Sequence, residues 1–152
     1  RRQRQMCIRD RYKKISRLNP KTALIAFSVD DFDGSKLRSG EEVEKIDLII
    51  KKFNPSVMAI EDSFYGKNVK STVILGQARS AMMLAGAKLN LDIFQFAPRK
   101  IKQSLCGNGS ASKEQVQFMV SNILKLESLP KPIDITDAMA VGICFVNNYN
   151  TL

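Results

Sequence analysis

The sequence predicts a single α/β domain, and three observations predict it. Short apolar runs with strand character, "TALIAFSV", "VMAI" and "DIFQFA", alternate with longer segments whose apolar residues recur at helical spacing. Clusters of turn formers such as "DDFDGS", "NPS" and "CGNGSAS" separate them. A length of 152 residues suits one continuous hydrophobic core.

Taken in order, residues 1–11, "RRQRQMCIRDR", carry no apolar periodicity and no cap, and they predict no folded element. The string resembles translated sequencing-adapter read-through and is set apart as non-native or disordered; a basic arm that touches phosphates is the alternative. The folded domain is therefore expected over residues 12–152. "TALIAFSV" (22–29) predicts a strand. "SGEEVEKIDLIIKKF" (39–53) predicts a helix, with acids at its start, Lys51 and Lys52 at its end, and Val43, Ile46, Ile49, Ile50 and Phe53 on one face. "VMAI" (57–60) has no polar interruption, as in a central strand covered on both faces, and "EDSFYGKN" after it is a loop. A long helix follows from about Val69 to Leu89, with Gly76, Ala78 and Ala81 available for close packing. "DIFQFA" (92–97) is a further strand, and Pro98 opens the short helix "PRKIKQSL" at a position that tolerates proline. "KEQVQFMVSNILKL" and a last helix beginning near Asp134 complete the chain, without internal repeats.

Composition narrows the function classes. Hydrophobic residues at 44% and charged ones at 26% fit a soluble globular protein. The longest apolar run, "AMAVGICFV", is far short of the roughly 20 residues that span a membrane, and the start of the chain lacks a signal-peptide core. The expectation is a cytoplasmic protein with no membrane partner. With no histidine, and with Cys7, Cys106 and Cys144 far apart, a zinc site or disulfide framework is disfavoured. Any metal would be held by oxygen ligands, which suits magnesium. The net charge of +9 is unevenly spread: residues 1–21 hold nine Lys/Arg against one acid, and residues 63–113 are again net basic at +7. That second block lies within the predicted fold and invites a nucleic-acid partner.

Asp134 and Asp137 are three residues apart at the start of an apolar helix and so share one face of its first turn. Capping is one explanation, since carboxylates accept backbone N–H groups and suit the positive helix end. Glu61 supplies another, because it directly follows the buried strand "VMAI", where ligand sites of open α/β sheets form, although a lone acid there is equally compatible with a solvated surface. Three such acids could converge on one or two divalent ions and activate water for phosphodiester hydrolysis. Next to Glu61 stand Phe64 and Tyr65 on a glycine-containing loop with Lys67 and Lys70. That composition suits base stacking with phosphate contact, against core filling for Phe64. Arg99, Lys100, Lys102 and Lys113 form a second basic group with no acid between Arg99 and Lys113; a solvated face is the alternative.

The stretches "VMAIEDSFYGKNVKSTVILGQARS", "FAPRKIKQSLCGNGSASKEQVQFMV" and "ITDAMAVGICF", in this order across residues 39–146, resemble the Holliday-junction resolvases of the RuvC type in the RNase H-like superfamily. The resemblance implies a mixed sheet flanked by helices and a structure-selective endonuclease that makes paired symmetric nicks in four-way junction DNA during recombination and repair. It implies Mg2+, with Mn2+ as a substitute, held by Glu61, Asp134 and Asp137 as the catalytic acids. Phe64 matches the aromatic that stacks at the strand-exchange point; Tyr65, Lys67 and Arg99 are expected as further DNA contacts from the composition of the loop and of the basic group. Lys102 and Lys113 match basic residues near the scissile phosphate. The implied partners are a second copy, forming a homodimer, and a RuvA–RuvB-type branch-migration complex.

In one respect the sequence departs from that pattern. Members begin with a central strand ending in an Ile-Asp-Pro-Gly-like turn whose aspartate is a metal ligand, and no such stretch occurs here. Asp10, followed by Arg11, lacks the turn, and Asp30 and Asp31 follow a strand expected to be third, at a sheet edge. The expectation is an N-terminally truncated nuclease domain whose first central strand is missing or replaced. A non-catalytic junction-binding fragment is the alternative. A phosphoacceptor domain, suggested by "SVDD", would need a further aspartate near "ILGQ", and a phosphate-loop nucleotidase would need a Gly-Lys-Ser/Thr ending that "GNGSAS" lacks.

Overall fold

A computed structural model of the chain describes residues 24–28, 41–62, 69–131 and 133–149. Its elements run β1 (Leu24–Phe27), α1 (Glu41–Phe53), β2 (Val57–Glu61), α2 (Val69–Lys88), β3 (Asp92–Phe96), α3 (Pro98–Cys106), α4 (Lys113–Leu124) and α5 (Asp134–Tyr149). Each begins and ends close to where the sequence places it. The reason is local chemistry: Asn54 turns left-handed (φ 43°) after α1, Gly107 does the same (φ 71°) after α3, and Ser112 with Gln115 forms a reciprocal capping box at the start of α4.

The strands form a sheet in the order β1-β2-β3, parallel throughout. Side chains alternate across it. On one face Ile25, Phe27, Met58 and Ile60 pack with Ile46, Ile49 and Ile50 of α1 and Met82 and Ala85 of α2. On the other, Leu24, Ala26, Val57 and Ala59 pack with α3, α4 and α5 through Ile101, Val120, Val141 and Phe145. Helices on both faces leave Met58, Ala59 and Ile60 fully buried, which explains the uninterrupted apolar run of β2. Gly86 lets α2 approach β2, since a Cβ there would lie 2.9 Å from the Met58 thioether.

Among the described residues all strand pairing is parallel. The segment expected as a third, edge strand does lie at an edge of the described sheet, but it pairs directly and in parallel with β2, Ala26 opposite Ala59 and Phe27 opposite Ile60. Apolar side chains on both of its faces match the two helix layers, so this short run is buried on either side. Asp10, Asp30 and Asp31 lie outside the described residues, as does the whole of segment 1–11.

Candidate functional site

Parallel strands bring all their carboxyl ends to one edge of a sheet, and here that edge gathers polar residues over an apolar interior. Glu61 closes β2 opposite Phe96 of β3. By the alternation that puts Val57 and Ala59 on the α5 side, Glu61 stands on that side as well. It is half-buried, and its Oε2 accepts a hydrogen bond of 2.9 Å from the hydroxyl of fully buried Ser28, the residue after β1. The next residue, Asp62, is fixed through its backbone N–H to the Phe96 carbonyl (2.9 Å) and through its carboxylate to Arg79 of α2 (3.2 Å). Arg79 also donates to Gln95 of β3, so one guanidinium ties β2, β3 and α2 at this edge.

On the face away from α2, and so on the side of Glu61, α5 packs against β1 and β2. Asp134 opens this helix, and its side chain lies outside what the structure describes. Asp137, one turn on, is mostly enclosed, and its Oδ2 lies 3.3 Å from the Lys113 ammonium. The capping box of α4 holds Lys113 there: Gln115 N–H donates to Ser112 Oγ (3.2 Å), and Ser112 N–H to the Gln115 side chain (2.8 Å). Residues that are 24 apart in sequence thus join an acid to a base.

The remaining basic group follows β3. Ala97 and Pro98 turn the chain into α3, which buries Ile101 and Leu105 and leaves Arg99 and Lys100 exposed and Lys102 half-buried. The "CGNGSAS" connection folds back on this helix. At Gly109 a Cβ would lie 2.5 Å from Arg99 Cγ and 3.1 Å from the Arg99 carbonyl oxygen, so only a glycine seats the loop against Arg99 without displacing it.

Of the residues singled out in the sequence, the side chains of Glu61, Arg99, Lys100, Lys102, Lys113 and Asp137 are described, and the contacts above place Asp137 with Lys113. Phe64, Tyr65 and Lys67 lie outside the described residues. Among the described residues no group of three or more His, Cys, Asp or Glu lies together. Ser28, Arg79 and Gly109 were not singled out from the sequence. Arg79 belongs to the stretch "LGQAR" and Gly109 to "GNGSA", which stand out as motifs, whereas Ser28 carries no signal beyond a hydroxyl at a strand end. The donor chemistry of Glu61 and Asp137, carboxylate oxygen without nitrogen or sulfur, fits a hard divalent cation.

No helix among the described residues is long and apolar enough to cross a membrane. A family model described as crossover junction endodeoxyribonuclease RuvC matches residues 8–145. A crossover junction endodeoxyribonuclease RuvC of Natranaerobius thermophilus is 48% identical over 101 residues, covering 66% of this chain and 63% of that protein. Another, of Halothermothrix orenii, is 36% identical over 150 residues, covering 87% of this chain and 91% of its own length. Among solved structures, Thermus thermophilus RuvC shares the fold with a TM-score of 0.68 at 24% identity over 86% of this chain and 81% of that one. T. thermophilus RuvC in complex with Holliday junction substrate matches with a TM-score of 0.71 at 27% identity, over 77% and 71% of the two chains.

Proposed function

The chain belongs to the RuvC family of crossover junction endodeoxyribonucleases, and from that premise we propose that it hydrolyses phosphodiester bonds of four-way junction DNA at the carboxyl edge of its sheet. The observation that carries this assignment is the Asp137–Lys113 pair at 3.3 Å, on the helix that packs over the strand bearing Glu61. Glu61, Asp137 and Asp134 would hold Mg2+, or Mn2+ in its place. Such an ion, when bound, supplies Lewis-acid polarisation of the phosphate and lowers the pKa of water.

The side chains divide the remaining work. Lys113 brings a cation to Asp137 and so to any phosphate seated beside the acids. Arg99 and Lys102, on the helix that starts where β3 ends, would hold the backbone of the DNA through charge-assisted contacts. Phe64 and Tyr65, with Lys67, follow Glu61 by a few residues and would stack on bases at the exchange point. A homodimer that delivers two symmetric nicks is supported by α2, which exposes Val73 and Leu84 on the side away from buried Ala78 and Met82. Cooperation with a RuvA–RuvB-type branch-migration complex and a cytoplasmic location complete the proposal.

The test is cleavage of a labelled four-way junction by the full chain and its Glu61→Gln variant across a magnesium and manganese titration. The expected outcome is symmetric nicking by the parent, abolished in the variant with junction affinity retained. Undiminished cutting by Glu61→Gln removes the catalytic assignment, and a gel shift without product at any metal concentration makes the chain a junction-binding domain instead.

A further inference from the structure

We infer that Ser28 is a positioning residue for Glu61, holding its carboxylate in the orientation in which it meets a divalent cation. The inference rests on the assignment of Glu61 as a cation ligand and adds to it a residue that the sequence did not mark. Four observations carry it. The hydroxyl lies 2.9 Å from Glu61 Oε2. Ser28 has no solvent exposure and directly follows the apolar strand Leu24–Phe27. The parallel register, which pairs Phe27 with Ile60, brings the next residues, Ser28 and Glu61, side by side at the ends of their strands. Their alternation places both on the face covered by α5, the helix of Asp137.

The direction of the bond follows from chemistry. An ionised carboxylate only accepts, so the hydroxyl donates. A buried hydroxyl without a partner is costly, which locks the serine rotamer as firmly as it locks the glutamate. A glutamate at a strand end otherwise has several rotamers and would lose that freedom on binding a cation. With one oxygen already tied to β1, less freedom remains to be lost. Outer partners that orient a ligand in this way change metal affinity by about 10- to 100-fold when removed.

The experiment is an Mn2+ titration of the full chain without DNA, read by electron paramagnetic resonance, on the parent and on Ser28→Ala, Ser28→Cys, Ser28→Thr and Glu61→Gln. Circular dichroism reports the fold of each variant. Ser28→Ala is expected to weaken Mn2+ binding about 10-fold or more, and Ser28→Thr, which restores a hydroxyl, to return it to near the parent value. Ser28→Cys, close in shape but a weak donor, tests the same point where alanine fails to keep its fold, and is expected to bind more weakly than the threonine variant. Parent-like affinity in a folded Ser28→Ala or Ser28→Cys, alongside loss in Glu61→Gln, overturns the positioning role alone. Parent-like affinity in Glu61→Gln, or no Mn2+ binding by the parent, overturns the ligand assignment and the inference with it.

Discussion

Phe145→Ala tests whether α5, and with it Asp137, is held by the aromatic group at the edge of the sheet. Phe145 is 1% exposed and lies edge-on to Phe94 (5.0 Å between centroids) and to Phe96 (6.5 Å), with Tyr149 at 5.1 Å. Truncating a buried phenylalanine to alanine costs about 3–5 kcal/mol, from lost transfer energy and the cavity left behind. Here the new space would open onto an existing groove of about 330 Å³ lined by Phe94, Phe96, Lys100 and Tyr149, so neighbours can relax and water can enter. The lower end, about 3 kcal/mol, is therefore expected. At about 3 °C per kcal/mol for a chain of this size, the melting temperature should fall by about 9 °C. Urea unfolding followed by circular dichroism measures the loss directly. Phe145→Leu, which keeps most of the volume, should recover more than half of it. A loss below about 0.5 kcal/mol in Phe145→Ala would refute the packing role, since it would fall in the range of an exposed site.

Two further outcomes are expected. Gly109→Ala should displace Arg99 and weaken junction binding, with the slope of log affinity against log salt reduced by about 1, as when one phosphate contact is lost. Adding it to Arg99→Ala should cost nothing more, and an additive loss in filter binding across a salt series would contradict the coupling. Burial pushes the Cys144 thiol above its ordinary 9.0, so the fold favours the neutral form. Its contribution to stability is whole below that ordinary value and is lost as pH rises through the raised folded one. Urea midpoints should accordingly fall on the alkaline side in the parent and fall less in Cys144→Ala, and an identical alkaline slope in the two would count against the shift.

Much of this molecule was legible in short windows. The helix α1 follows from the spacing of Ile46, Ile49 and Ile50, and α3 from Pro98 with Ile101 and Leu105 on one side, because 3.6-residue periodicity is a property of a dozen neighbouring residues. The buried strand "VMAI" announced itself in the same way, and the position of Glu61 at its end made that acid conspicuous. The motif order that ties the chain to its family was likewise a matter of sequence alone.

What the linear chain could not fix was the company each residue keeps. Ser28 meets Glu61 across 33 positions and Lys113 meets Asp137 across 24. Arg79 joins Asp62 to Gln95. These meetings depend on which strand β1 pairs with and in which register, and a run that is apolar on both faces does not encode a partner. Only the simultaneous burial of both sheet faces under two helix layers selects the pairing, because that arrangement removes the most apolar surface from water while keeping every strand bonded. Local periodicity and punctuation set the elements and the acids at their ends; the packing of those elements selects which hydroxyl and which ammonium stand beside them.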